Sequence, residues 1–212
     1  MTIKYQNAEW NNKKVIIGEP ENTNSHHLLI GFHGAESTAE NMLVHGNRLK
    51  LENTLMIFPE GPVDAGEGRW SWWKDGPGQP KSVEEFINFT DEMIRSAASH
   101  FENRSIKHIS LWGFSQGAAA SLVYALLGTQ NIHKVGSVCG FLPELPSTST
   151  NEVTTEILGI FGQNDEVVPS FLADYALEEM KNKGHKVQIK ETNQSHELNS
   201  DNLNELLNFF SS

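Results

Sequence analysis

The chain has 212 residues, 38% hydrophobic and 20% charged, with a net charge of −11. That length fits a single domain over residues 1–212 with a sizeable core, no run of about 18 apolar residues exists to cross a bilayer, and the acidic balance opposes nucleic-acid or anionic-membrane partners. The first ten residues lack the apolar core of a secretory leader, and one cysteine, Cys139, excludes an intrachain disulfide and fits a reducing cytoplasm.

Strand-like runs at residues 3–5 and 14–17 predict an antiparallel edge. Residues 27–32 read as a buried strand, 38–50 as a helix with Met42 and Leu43 on its apolar side, and 54–58 as a strand closed by Pro59. Residues 61–80, rich in glycine and proline, read as one long irregular stretch, of the kind usually kept for function. From 82 to 101 the apolar residues Val83, Phe86, Ile87, Ile94 and Phe101 recur at helical spacing, and Ser82 with Glu85 predicts a capping box. A strand follows at 106–112, then a helix at 118–127 stopped by Gly128. Strands at 134–139, 156–161 and 186–191 alternate with a helix at 170–183 and a last one carrying Leu203, Leu206, Leu207 and Phe210. Alternating units of this kind predict an α/β fold: a mainly parallel sheet with helices on both faces and no lid domain.

Between the strand at 106–112 and the helix at 118–127 stands Gly113-Phe114-Ser115-Gln116-Gly117. This is the G-x-S-x-G nucleophile elbow, in which a sharp strand-to-helix turn lifts the serine hydroxyl from the sheet and needs glycines where Cβ atoms would collide. The new helix also aims its first N–H groups at negative charge developing beside the serine.

A serine hydroxyl needs a base to take its proton, and in this architecture the acid and then the histidine follow the serine along the chain. Only His133, His185 and His196 lie after Ser115. The first two fall at the N-terminal ends of strands, whereas ligands of open α/β sheets gather at the C-terminal ends, where His196 follows the last strand. Asp165, after the strand ending at Phe161, is the favoured acid, with Glu166 as its rival. An oxyanion hole would take one backbone N–H from Gln116 and one from Ala35 in the loop Phe32-His33-Gly34-Ala35, with His33 supporting that loop. Cys139 lies outside any elbow and reads as a small buried side chain.

The segments Phe32-His33-Gly34, Phe58-Pro59-Glu60-Gly61-Pro62, Ser71-Trp72-Trp73, Gly113 to Ala118, Cys139-Gly140-Phe141-Leu142-Pro143, Gly162 to Pro169 and Ser195-His196-Glu197 together resemble the phospholipase/carboxylesterase family of small, lidless α/β-hydrolases. That family includes bacterial carboxylesterases and acyl-protein thioesterases. The resemblance implies an α/β-hydrolase fold, a Ser115, Asp165 and His196 triad, oxyanion donors at Ala35 and Gln116, and Trp72 and Trp73 near an acyl-binding groove. Three departures bear on acyl preference: Ala35-Glu36 stands where the family usually has Leu-Gly, Cys139-Gly140 replaces Ser-Gly, and residues 66–73 carry extra tryptophan.

The expected activity is a serine hydrolase of carboxylic esters with short or medium acyl chains, using neither metal nor organic cofactor. A thioesterase on acylated protein cysteines or a lysophospholipase is the alternative, favoured by a long apolar channel beside Ser115 and opposed by a short polar pocket. A non-catalytic binding module on a hydrolase scaffold is the reading from another class. The expected partner is a small ester, and an exposed tryptophan-rich loop offers a surface for a homodimer contact.

Overall fold

A computed structural model describes residues 2–21, 26–104, 106–147 and 153–212. The chain opens with a hairpin of β1 (Ile3–Trp10) and β2 (Lys13–Pro20). Its two turn residues, Asn11 and Asn12, have φ of 53° and 59°, the left-handed pair that a tight hairpin needs and asparagine tolerates. Then come β3 (His27–Phe32), α1 (Ala39–Gly46), β4 (Thr54–Pro59), a small hairpin of β5 (Val63–Gly66) and β6 (Arg69–Ser71), and α2 (Gln79–His100). The second half runs β7 (His108–Phe114), α3 (Gln116–Leu127), β8 (Lys134–Val138), β9 (Glu156–Gly162), α4 (Ser170–Asn182), β10 (Lys186–Thr192) and α5 (Ser200–Ser211).

Eight strands form one sheet in the order β1-β2-β4-β3-β7-β8-β9-β10. The pairings β1 with β2 and β2 with β4 are antiparallel; the five from β4 to β10 are parallel. Side chains alternate across a strand, so β3 feeds both faces. Leu28, Ile30 and Phe32 join Val83, Phe86 and Leu122 beneath α2 and α3, while Leu29 joins Met42, Phe58, Leu206 and Phe210 beneath α1 and α5. The sheet is therefore covered by helices on both faces, as the alternating pattern predicts. Among the described residues no helix is long and apolar enough to cross a membrane.

Polar contacts fix the helices where apolar packing alone would let them slide. Buried Asp91 of α2 accepts hydrogen bonds from Tyr124 of α3 and, at 2.8 Å, from Thr129. Lys134, 3% exposed, donates to Phe209 O at 2.8 Å and Ser212 O at 2.7 Å, placing a cation at the negative end of α5.

Two boundaries differ from the sequence expectation. The glycine-rich stretch contains the β5–β6 hairpin, whose turn Gly66-Glu67-Gly68 has positive φ throughout. Helix α2 starts at Gln79, not Ser82, with Gly78 as its N-cap and Pro80 in the first turn. Proline fits there because its missing N–H would have no intrahelical partner anyway. Ser82 Oγ instead accepts a 3.0 Å bond from Lys74 N.

At the N-terminal edge of the sheet, His27, His108 and His133 gather, with ring centroids 4.6 Å apart for the last two and 6.1 Å from each to His27. Burial first, then the neighbouring His133, His108 and Lys134, push the His27 pKa from 6.5 down to about 4. Because the folded pKa lies below the unfolded one, this neutral ring's contribution is complete above pH 6.5 and is lost as pH falls towards 4. The melting temperature should drop across that window, and His27→Gln should remove up to about 3 kcal/mol of the pH-dependent loss. Thermal melts of both proteins from neutral to acid pH measure this.

Candidate active site

Strand β7 ends at Phe114, and the next residue, Ser115, has φ 55° and ψ −122°, a conformation that strains a residue with a Cβ. The turn is tight because the backbones touch. A Cβ on Gly113 would lie 2.3 Å from Gly117 C, and one on Gly117 would lie 2.1 Å from Phe32 O. Ser115 N donates to Val138 O at 3.0 Å, tying the turn to the adjacent β8. The hydroxyl is left at the C-terminal edge of the sheet, one position before the first turn of α3.

Loops after β9 and β10 meet beside it. Gly162 makes this possible, since a Cβ there would stand 2.0 Å from Gln194 O. Gln163 N bonds Thr192 O at 2.8 Å and Asn164 Nδ2 bonds Asn193 O at 2.7 Å, lacing the two loops together. The result is a line of side chains: His196 Nε2 is 3.0 Å from Ser115 Oγ, and His196 Nδ1 is 2.8 Å from Asp165 Oδ2. The other carboxylate oxygen of Asp165 accepts from Val167 N at 2.9 Å and Val168 N at 2.8 Å. Burial alone would raise the Asp165 pKa, but the bonds from His196, Val168 and Val167 outweigh it and hold the carboxyl below its ordinary value. An ionised Asp165 can only accept, so Nδ1 carries the imidazole proton and Nε2 is free to accept one from the serine. Glu166, the rival acid, is exposed and outside this line.

The loop after β3 closes the other side. His33 is fully buried; its Nδ1 donates to Gly34 O at 2.7 Å and its Nε2 accepts from Gly61 N at 3.1 Å. Burial pushes its pKa down to about 4, so the ring serves as a neutral bridge between two loops. Ser37 and Trp70 exchange backbone bonds of 3.0 and 2.8 Å, and Glu36 N donates to Ser71 Oγ at 3.0 Å. Among the described residues, the backbone N–H groups of Ala35 and Gln116 have no hydrogen-bond partner.

Trp72 and Trp73 differ from the expectation. They are 0% and 1% exposed and do not line the cavity beside Ser115, whereas Trp70 of the same loop is half-buried. Trp72 stacks on His33 at 4.6 Å and its Nε1 donates to His33 O at 2.7 Å. The side chain of Gln116 fastens this segment, accepting from Trp72 N at 2.9 Å and donating to Trp73 O at 3.3 Å. That clamp escapes a sequence reading because the partners are 43 and 44 residues apart. Gln194 was also missed. Its Nε2 bonds Glu197 O at 2.9 Å and its Oε1 accepts from Asn202 at 2.8 Å, bracing the His196 loop on α5.

A cavity of about 570 Å³ opens onto Ser115 and His196. Met42, Phe114, Val167 and Leu198 supply apolar lining, and Glu36, Ser37, Asn41 and His45 supply polar lining. Behind the imidazole, buried Cys139 follows β8 with φ 54°, its thiol pushed up to about 12 first by burial and then by the Asp165 carboxylate.

The fold agrees with what the chain is similar to. A carboxylesterase from Mesorhizobium loti superposes with a TM-score of 0.81 at 13% identity, over 97% of this chain and 99% of its own. Esterase PE8 gives 0.78 at 17% identity, over 99% and 98%, and Arabidopsis thaliana SOBER1 gives 0.71 at 19%, over 86% and 96%. At these identities the likeness speaks for the fold. Among curated proteins none matches the sequence. The sequence profile described as Phospholipase/Carboxylesterase, however, matches residues 12–212, and the chain therefore belongs to that family of α/β-hydrolases.

Proposed function

We propose that the protein is a serine hydrolase that cleaves carboxylic esters of short to medium acyl chains through an acyl-enzyme. The observation that carries this reading is the unbroken hydrogen-bond line from Ser115 through His196 to Asp165 on the wall of an open cavity. Ser115 Oγ attacks the ester carbonyl carbon while Nε2 of His196 takes the hydroxyl proton. The carbonyl oxygen, now negative, lies where the unengaged N–H groups of Ala35 and Gln116 and the first turn of α3 favour it. Asp165 stabilises the imidazolium, which returns the proton to the departing alcohol. Water repeats the sequence on the acyl-enzyme, and the acid leaves with Ser115 restored.

Substrate size follows from the cavity lining. The apolar side formed by Met42, Phe114, Val167 and Leu198 suits a modest acyl group, and the polar side with Asn41, Ser37 and Glu36 suits a polar or uncharged alcohol. This mixed lining favours esters over a long-chain lysophospholipid. Across p-nitrophenyl esters from acetyl to palmitoyl, kcat/KM should peak at short to medium chains and exceed that of matching thioesters; a maximum at palmitoyl would favour the lysophospholipase or thioesterase alternative.

Ser115→Ala should lower kcat by roughly 10⁴-fold or more and abolish labelling by a fluorophosphonate. Ser115→Gly should be equally inactive yet about 1 kcal/mol more stable, because glycine relieves the strained φ. Retained turnover in either variant would overturn the reading.

The two acid candidates separate in the same assay. Asp165→Asn should cost roughly 10⁴-fold in kcat, since the amide no longer holds the imidazole in the required tautomer. Glu166→Gln should leave turnover near that of the parent.

A further inference from the structure

Cys139 has no part in the proposed ester chemistry, yet it stands where a second kind of ligand could be held. Its Sγ, a carboxylate oxygen of Asp165 and a ring nitrogen of His196 all lie within 4.8 Å of one another. We propose that these three residues form a binding site for a thiophilic divalent cation such as zinc or cadmium, and that occupancy switches the hydrolase off.

The donor set is thiolate, imidazole and carboxylate, the chemistry preferred by zinc. In a tetrahedral zinc site, bonds of roughly 2.0–2.3 Å place neighbouring donors about 3.3–3.7 Å apart. The Nδ1 to Oδ2 distance of 2.8 Å must open by under about 1 Å, and the sulfur must close by about as much. Both shifts are of the size that side-chain rotation supplies, with Cys139 directly after β8 and Asp165 in the loop after β9. Cys139 N is fixed to Ile160 O at 2.8 Å, and the left-handed backbone at residue 139 turns the thiol towards the acid. The carbonyl of Glu197, 3.9 Å from Sγ, stands ready as a fourth donor. His196 lines the cavity and Cys139 is 0% exposed behind it, so a cation reaches the thiol by displacing the imidazole.

Inhibition follows from the tautomer. A metal on Nδ1 occupies the lone pair that the ring must free there, so the Nδ1 proton moves to Nε2. The thiol loses its proton to solvent, and Asp165 stays a carboxylate throughout, giving one proton released per ion bound. An imidazole protonated at Nε2 cannot take the Ser115 proton. The inhibitory step rests on the proposed role of His196 as the base, whereas the binding step does not.

Titrating cadmium into the whole protein tests both. Cys139 is its one thiol, so a thiolate-to-cadmium charge-transfer band in the ultraviolet reports this site alone. The band should saturate at one equivalent, hydrolysis of p-nitrophenyl acetate should fall with the same midpoint, and a chelator should restore both. Cys139→Ser, which keeps size and backbone preference, should hydrolyse the ester as before, lose the band and weaken inhibition by zinc about tenfold or more. Cys139→Ala serves if the serine variant folds poorly. An absent band, or equal zinc inhibition in Cys139→Ser, would overturn the site; a band without inhibition would overturn the switch. If no ester is turned over at all, the band still reports the cation while the hydrolase reading alone fails.

Discussion

The close approach of Gly117 to the carbonyls of Phe32 and His33 is the constraint on which the active-site edge depends. At 2.1 Å and 2.4 Å from where a Cβ would be, those oxygens leave no room for any side chain. Strands β3 and β7 are neighbours in the sheet, so their C-terminal loops start about one strand spacing apart. Only a bare backbone lets the first turn of α3 press against the loop after β3. That contact packs the start of α3, with Gln116, against the loop that carries Gly34 and Ala35.

Positioning the loop after β3 takes a second layer of contacts, and its logic is electrostatic. His33 is buried where a charged ring would be costly, and burial keeps it neutral at ordinary pH. A neutral imidazole has one donor and one acceptor, matching Gly34 O and Gly61 N. A charged ring would have two donors and would face the Gly61 N–H with a repelling one. Trp72 then takes the His33 carbonyl, and Gln116 takes the backbone of Trp72 and Trp73. Gln116, the first residue of α3, thus uses its side chain to tie the buried Trp72-Trp73 segment to the helix that follows Ser115.

Much of this edge was legible in the sequence, because the signals are local. The run Gly113 to Gly117 follows a β-branched strand and precedes an alanine-rich helix, and chain order puts Asp165, beside its rival Glu166, and His196 after strands that end at one edge. Strand alternation likewise predicts a sheet with two buried faces. What the sequence conceals is long-range and polar. The resemblance puts Trp72 and Trp73 near an acyl-binding groove, and nothing local in the sequence says which way a ring points. Their burial is decided by Gln116, His33 and Phe86, which come from three other elements. The start of α2 was misplaced for a related reason: Ser82 and Glu85 satisfy the pattern of a cap, but Pro80 and the left-handed Gly78 already begin the helix. Lys134, read as an ordinary strand residue, is buried against the end of α5, which no local pattern announces.

The backbone strain follows the same geography. Asn11, Asn12 and Asn53, which tolerate positive φ, adopt it in turns, as Glu67 does between two glycines, whereas Glu36, Ser115 and Cys139 adopt it at a real cost. These last three follow β3, β7 and β8, consecutive in the sheet, at the edge that carries the cavity. Each is held by a bond from its own N–H to a neighbouring segment: Glu36 to Ser71 Oγ, Ser115 to Val138 O and Cys139 to Ile160 O. Strain of this kind is of order 1–3 kcal/mol per residue and persists only where the surroundings over-determine it. For Ser115 and Cys139 the cross-strand bonds do so in series, each strand end holding the turn of the one before, while Glu36 is held from the β5–β6 hairpin. Ser115 is therefore upright because β8 is in place, and β8's own exit at Cys139 is fixed by β9, the strand that delivers Asp165. Ser115 and Asp165 are joined through the backbone as well as through His196.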